Sequence, residues 1–478
     1  MGDPRAVSRF FSFGGFLVVA SLSLGVSHFL VTRIGLEMFT VALAMVFFGT
    51  LYAVVSFRNL MVPLMVWILT IGGFRFLWSI RTSLLPDLFL DRIMLVWVLG
   101  VFMIKFMAEK KKFRGPFTLD LVMLTFASYL LVRVYLGDME FLNPWVQSVL
   151  IPYSAYFFAK NIIQTRRQIH TFLLILLILT VYYSITAVAE KFTITWLIWP
   201  KTILTEKRGF IGRSGGPFQQ AALFGTILGI LIPLHLYFLA KVRNSFAKIL
   251  LFLSLGLGIA GLYFTYTRGS WLAGVVALLA VGACNPRQYL RYLVPVLFIA
   301  PIAAIGFLGA SQDKFLKERV ENEDTLGSRV GTAATALRIF RDNPVLGVGY
   351  FQFREAREDY IQPVEVPGLG TIRFVQFRHN HIHDIYLGPL AENGLVGAFL
   401  QGWIYYLILR IFLSKFRWRT RGDPVAIYVF PVFAGIFVGY LVGGLAFDYR
   451  FFSFMDTLFY ASAGILNGYQ GQEQLDVS

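Results

Sequence analysis

The sequence predicts an all-α, polytopic membrane protein, and two observations carry that prediction. Apolar runs of about 20 residues, the length a helix needs to cross the hydrocarbon core, recur from one end of the chain to the other. Of the 478 residues, 57% are hydrophobic and only 15% charged, with a mean hydropathy of +0.65, too apolar for a soluble globule of this size. The runs are continuous rather than alternating, which argues against a β-barrel. The chain reads as a single integral membrane domain over 1–478, with a hydrophilic insertion over 310–384.

Taken in order, Arg5 and Arg9 precede a first span over 10–30. That run is long for a signal-peptide core and lacks a small-x-small cleavage site, so it reads as retained. Further spans are predicted over 36–56, 61–79, 93–108, 117–136, 145–162, 170–189, 218–240, 247–266, 270–284, 291–309, 394–413, 425–446 and 452–468. That makes about fourteen, or about twelve if the short runs at 61–79 and 145–162 are re-entrant or merged.

The turns between spans sort by charge. Arg58, Lys110-Lys111-Lys112 with Arg114, Arg166-Arg167, Lys241 with Arg243, Arg287 with Arg291, and the run from Lys415 to Arg421 all fall on one side. The positive-inside rule makes that side, and both termini, cytoplasmic. In a soluble protein the net charge of +16 would point to nucleic acid. Carried on membrane turns it points to lipid, and no nucleic-acid partner is expected. The single cysteine, Cys284, can form no internal disulfide and reads as a small core residue. No Gly-x-x-x-x-Gly-Lys loop supports ATP-driven work.

The opposite side holds the loop 192–216 and the long insertion. Within the insertion, 325–341 has helical spacing, with Val330, Ala334, Leu337 and Phe340 on one face. Asp342-Asn343-Pro344 stops that helix, and Gly347-Val348-Gly349 predicts a turn or a close backbone approach. The insertion ends in His379-Asn380-His381-Ile382-His383-Asp384, which holds three of the six histidines in the chain. Asp384 suits the cap of a helix beginning at Ile385. His383 would then sit at the helix entrance, where the positive end of the dipole disfavours imidazolium. A histidine kept neutral there can act as a general base near pH 7. The plainer reading is a polar loop whose histidines only solvate or bridge. A metal site on His379, His381 and His383 lacks acidic or cysteine partners, so neither metal nor cofactor is expected. Asp87, Asp91, Glu355, Glu358 and Asp359 show no pairing of the kind glycoside hydrolysis requires, and read as solvated loop charges.

This side is also rich in arginine where the positive-inside rule expects little. Arg208 and Arg213 precede the span at 218, Arg268 lies between two spans, and Arg75, Arg133 and Arg450 sit near the same ends of theirs. An ionisable group at membrane depth is costly and tends to mark a site. The arginine fork matches a phosphate bidentately. Snorkelling to headgroups accounts for Arg75, Arg133 and Arg450. Arg213 and Arg268, flanked by glycines that let a ligand come close, read as phosphate ligands.

Four stretches carry a resemblance. They are Arg213-Ser214-Gly215-Gly216-Pro217-Phe218; Thr265-Tyr266-Thr267-Arg268-Gly269-Ser270-Trp271; Ser328-Arg329 through Phe340 and on to Gly347-Val348-Gly349; and His383-Asp384-Ile385-Tyr386-Leu387 with Ala391-Glu392-Asn393-Gly394-Leu395-Val396-Gly397. In order and spacing the chain resembles the bacterial O-antigen ligase and O-antigen polymerase superfamily of membrane glycosyltransferases. It departs from that pattern at Gln219-Gln220, where the family has asparagine-proline-asparagine, and after Arg329, where a tryptophan is absent.

The resemblance implies a membrane-embedded, C-type glycosyltransferase architecture of about 12–14 helices with one large periplasmic loop containing short helices. It implies a metal-independent, inverting transferase in the bacterial inner membrane with its site facing the periplasm. The donor would be a glycan on undecaprenyl diphosphate, and the acceptor lipid A-core or a growing saccharide. His383 would take the acceptor proton, with His379 the second choice. Arg213 and Arg268 would hold the diphosphate, Arg208 would assist, and Arg329 would lie in the loop that roofs the cleft. Ligase and polymerase read alike in these motifs. A lipid-linked saccharide transporter is the rival from another class, but it should show two related halves, and no such repeat is visible.

Overall fold

The computed structural model describes residues 36–77, 79–80, 87–115, 117–205, 212–296, 298, 324–366, 370–372, 382 and 384–471. It is an all-α, multi-pass membrane protein. The helices are α1 (Leu36–Arg58), α2 (Met61–Leu69), α3 (Leu90–Ala108), α4 (Thr118–Leu136), α5 (Ile151–Ile162), α6 (Arg166–Lys191) and α7 (Ala221–Lys241, bent at Pro233). There follow α8 (Ser245–Phe264), α9 (Arg268–Cys284), a helical run over 286–296, α10 (Asp324–Asp342), α11 (Leu387–Phe416), α12 (Phe430–Gly443) and α13 (Ser453–Gly468). Among the described residues, α4, α6, α7, α8 and α11 with its extension to Arg421 are long and apolar enough to cross a membrane on their own. Two short antiparallel hairpins, Ser79–Ile80 with Leu88–Phe89 and Val364–Val366 with Gly370–Ile372, are the described strands. The predicted span over 10–30 lies outside the described residues, as does most of 291–309.

Local chemistry sets the helix starts. Thr165 and Gln168 form a reciprocal capping box at the head of α6, and the Asn244 side chain accepts from Ala247 N–H at 3.0 Å to open α8. Between helices, small residues decide the packing, as expected where lipid removes the hydrophobic drive. A Cβ on Gly464 or Gly468 of α13 would fall 2.3 Å from the Tyr156 or Lys160 carbonyl oxygen of α5, so these helices meet backbone to backbone. A second seam joins α7, α9 and α12. A Cβ on Gly229 would lie 2.9 Å from the Gly274 Cα, and one on Gly439 would lie 3.2 Å from the Ala277 Cβ. This seam brings the start of α9 beside the end of α12.

The basic turns gather at one end. Lys105 reaches the carbonyls of Phe57 and Arg58, and Arg114 donates to the Gln164 side chain at 3.1 Å. Arg419 donates to the Cys284 carbonyl and Lys415 to that of Tyr469. A buried ion pair, Lys160 with Asp120 at 2.6 Å, ties α4 to α5 at this end. The other arginines, Arg213, Arg268, Arg329 and Arg450 among them, collect at the opposite end.

Helix α10 covers the predicted 325–341, but its buried face is not the predicted one. Gly331, Thr335, Ala336 and Ile339 are buried against α11, while Leu337 is 50% exposed. Small side chains allow the two helices to approach closely, so the packing follows size rather than hydrophobicity.

Candidate functional site

The Thr265–Gly269 turn links α8 to α9. Tyr266 sits there at φ 45°, a left-handed conformation uncommon for a side chain of this bulk, with its ring buried and its hydroxyl accepting from Lys191 Nζ at 2.7 Å. Arg213 closes the turn from above. Its Nε donates to the Thr265 carbonyl at 2.9 Å and its Nη2 to Thr267 Oγ1 at 2.5 Å. The segment carrying it is pinned in turn. Ser214 N–H donates to the Phe264 carbonyl at 3.1 Å, Ser214 Oγ to the Ala187 carbonyl at 2.7 Å, and Gly216 N–H to the Glu190 carboxylate at 2.9 Å. Arg268 is the first residue of α9, where the helix dipole adds positive potential, and its side chain is exposed.

Arg329, on α10, comes to the same place. Its Nη2 donates to the Ala446 carbonyl at 3.2 Å, and its Nε is buried without a hydrogen-bond partner. Burial and the neighbouring Arg268 cation both push the Arg329 pKa down from arginine's usual value. Among the described residues no carboxylate pairs with either arginine. Two like charges held together without a counter-ion create strong positive potential, the electrostatic signature of an anion site.

The turn after α12, residues 444–446, joins these parts. The Ala446 carbonyl accepts from Arg329. A Cβ on Gly269 would fall 2.5 Å from the Ala446 Cβ, so the Arg268 turn is pressed directly against it. The Gly444 carbonyl accepts from Ile385 N–H at 2.9 Å, which fastens the segment leading into α11 to the same hub. Asp384 holds the entry of that helix through a side-chain turn, but the cap position falls on Tyr386 and not on Asp384 as predicted. Its Oδ1 accepts from Tyr386 N–H at 2.8 Å and from Leu387 N–H, although α11 begins at Leu387, two residues later than expected. Burial raises the Asp384 pKa, against the pull of those N–H groups. On its other side Ile382 is buried with Ala336, Ile339 and Phe353. His383, His379 and Arg208 lie outside the described residues.

A break in α11 is filled by the loop after α10. Gly394 leaves helical geometry at φ 60° and ψ −159°, which frees main-chain groups on both sides. Val348 and Gly349 N–H donate to the Ala391 and Glu392 carbonyls at 3.1 and 2.9 Å. Leu395 and Val396 N–H donate to the Pro344 and Val345 carbonyls at 2.8 and 3.2 Å. The predicted close approach at Gly347 is real: its φ is +67°, and a Cβ there would lie 2.3 Å from the Glu392 carbonyl carbon.

Arg75, Arg133 and Arg450 do not snorkel as predicted. Arg450 lies between Asp448, at 2.7 Å, and Glu392, and over the Phe351 ring at 4.8 Å. Burial opposes its charge, but the two carboxylates outweigh that and hold its pKa well above normal. Arg133 donates to the Gly347 carbonyl at 3.2 Å, and Arg75 stacks 4.3 Å from the Phe89 ring. In each case folded chain at this end supplies a partner for the guanidinium. The sequence reading missed the 444–446 hub and the Glu392 partnership. The signals available were Glu392 inside an apolar run and the Gly443-Gly444 pair ahead of Asp448.

Residues 252–402, about a third of the chain, match the family described as O-antigen ligase. The match runs from α8 through the Arg268 turn and α10 into α11, and supports membership of the O-antigen ligase and polymerase superfamily. No curated protein matches the chain.

Proposed function

We propose that this chain, a membrane protein with an O-antigen ligase segment at its core, is a metal-independent, inverting glycosyltransferase that works at the periplasmic face of the bacterial inner membrane. Its donor is a glycan on undecaprenyl diphosphate. One observation carries the reading: Arg213, Arg268, Arg329 and the Asp384 segment, from distant parts of the sequence, meet around the 444–446 turn, and among the described residues no carboxylate neutralises Arg268 or Arg329.

In this reading Arg268 and Arg329 bind the diphosphate directly. Arg213 shapes the turn that presents Arg268, and Arg208 assists. His383 takes the proton from an acceptor hydroxyl, with His379 as the alternative base. The acceptor oxygen attacks the anomeric carbon from the face opposite the diphosphate, and the bond from that carbon to the diphosphate oxygen breaks. The electron pair and negative charge go to undecaprenyl diphosphate, where fixed cations stabilise them as they develop. Both termini are cytoplasmic, consistent with the basic turns at the opposite end. The described part of the loop, with Arg329 on α10, roofs the cleft.

The preferred acceptor is lipid A-core, which makes the protein an O-antigen ligase. A polymerase would differ only in passing the chain to a new repeat unit. The test is transfer by purified protein supplied with undecaprenyl-diphosphate repeat units and EDTA, with and without lipid A-core. A shifted lipid A-core band supports the ligase, and a ladder from repeat units alone supports the polymerase. His383→Ala should abolish either product while the protein still reaches the membrane at normal yield. Full transfer by that variant refutes the assignment of the base. Movement of the lipid-linked glycan across vesicles without any joining refutes transferase activity in favour of transport.

A further inference from the structure

A groove of about 690 Å³ lies between α4, α5 and the turn before α4, at the end of the molecule away from the candidate site. One wall is the α4 stripe Asp120, Met123, Ala127 and Leu131, and the facing wall runs from Trp145 past Tyr153 to Lys160. The lining is almost wholly apolar except where it starts. There Arg114 stands at the mouth, its main-chain N–H on the Asn161 side chain at 2.9 Å and its Nη2 on Gln164 at 3.1 Å. Lys160 is already neutralised by Asp120. Arg114 has no carboxylate partner among the described residues and is flanked by exposed Lys110 and Lys112.

We propose that this groove holds one anionic membrane phospholipid, with its phosphate on Arg114 and an acyl chain lying between α4 and α5. Three features select that occupant. The groove is a recess between helices rather than the outer surface, so a chain inside it is held on both sides. From Asp120 to Leu131 it extends about 17 Å at 1.5 Å per residue. That is close to one leaflet of a hydrocarbon core about 30 Å thick, and suits an acyl chain rather than a long polyprenyl tail. Among the described residues the net charge at its mouth is positive, and it sits among the basic turns, where an anionic headgroup is complementary. The inner end of the groove shares Val149 and Tyr153 with a small polar chamber that also touches Ile385, Pro389 and Arg450. A lipid here therefore braces the wall behind the α11 entrance. The proposal does not depend on the transferase assignment.

The test uses the full-length protein extracted with native lipid and examined by native mass spectrometry, then delipidated and titrated with phosphatidylglycerol or phosphatidylcholine. The wild type should retain one phospholipid mass. Ala127→Phe, which fills the groove midway, should lose it. Leu131→Trp should lose it too, and its 40% exposed position makes folding tolerant of the change. Leu136→Phe, exposed on α4 and outside the lining, should keep it. Arg114→Gln should weaken phosphatidylglycerol binding about fivefold and leave phosphatidylcholine unchanged, the effect of one surface cation on an anionic lipid. Unfolding temperature and elution volume report whether each variant is folded. Retention of the lipid by folded Ala127→Phe and Leu131→Trp, no lipid preference lost in Arg114→Gln, or a polyprenyl phosphate in place of phospholipid would each overturn the proposal.

Discussion

The contact between Gly269 and Ala446 offers the sharpest test of how the site is assembled. A Cβ added at position 269 would lie 2.5 Å from the Ala446 Cβ. Two carbons rest at about 3.5–4.0 Å, so Gly269→Ala must drive the Arg268 turn and the 444–446 turn apart by about 1 Å. A misplacement of that size at a reacting centre costs about 10²-fold in rate, so kcat should fall by about that factor. Overpacking of this kind costs about 1–3 kcal/mol, offset only in part by alanine's better helix propensity, so the unfolding temperature should fall modestly while the protein stays folded. The structure also supplies a rescue. With Ala446→Gly in the same chain, the nearest atom to the new Cβ becomes the residue 446 Cα at 4.0 Å, an ordinary contact. The double variant should recover most of the lost rate, which a double-mutant cycle reads as strong coupling. Gly256→Ala, in the middle of α8 with nothing within 4 Å of its Cβ, is the control and should leave transfer untouched. The assay is the initial rate of glycan transfer by purified protein, with unfolding temperature measured alongside. Wild-type transfer by Gly269→Ala, or no recovery in the double variant, refutes the claim that this close approach sets the site.

Three further outcomes are expected. Arg329→Gln should lower transfer about 10²-fold, the usual loss for one fixed donor to a developing anion, with little effect on unfolding temperature; unchanged kcat/KM would remove Arg329 from the site. Arg450→Met leaves Asp448 and Glu392 buried without their cation, and should destabilise the fold by about 3–5 kcal/mol, read as a fall in unfolding temperature and membrane yield. Gly347→Ala forces a side chain into the Glu392 main chain at positive φ, and should cost at least about 1–3 kcal/mol and open the loop to limited proteolysis. Unchanged protease resistance in that variant would show that the loop does not brace the α11 break.

The helices were legible because their lengths are set by the bilayer and their turns by charge, both local properties of the sequence. Thus 117–136 and 452–468 appear as Thr118–Leu136 and Ser453–Gly468 nearly residue for residue. The Asp384 hydrogen bonds at the entrance of α11 were legible for a similar reason, since they join only consecutive residues, although the helix starts two residues later than the pattern suggests. The buried face of α10 was not. Periodicity marks which residues are apolar, whereas its packing on α11 selects small ones, and that depends on a partner about fifty residues away. The hub at 444–446 was harder still to read, with the Gly443-Gly444 pair its one local hint. It acts through main-chain carbonyls and the lack of a side chain at Gly444, and carbonyls leave no mark in a sequence.

The arginines show the same limit from the other direction. In the sequence, Arg75, Arg133, Arg213, Arg268, Arg329 and Arg450 are all cations at or near one membrane face. What separates them is the charge that folding brings to each. Arg450 receives two buried carboxylates and is thereby consumed by the structure: it holds α11 to the α12–α13 connection and has no charge left to offer a ligand. Arg213 spends its fork on the Thr265 carbonyl and Thr267 hydroxyl, so it shapes the turn. Arg268 and Arg329 receive each other instead, an arrangement that disfavours the unliganded state and that any bound dianion relieves. The mutual repulsion of Arg268 and Arg329, with no carboxylate beside either among the described residues, is the physical reason for looking to a diphosphate at this point rather than at Arg450.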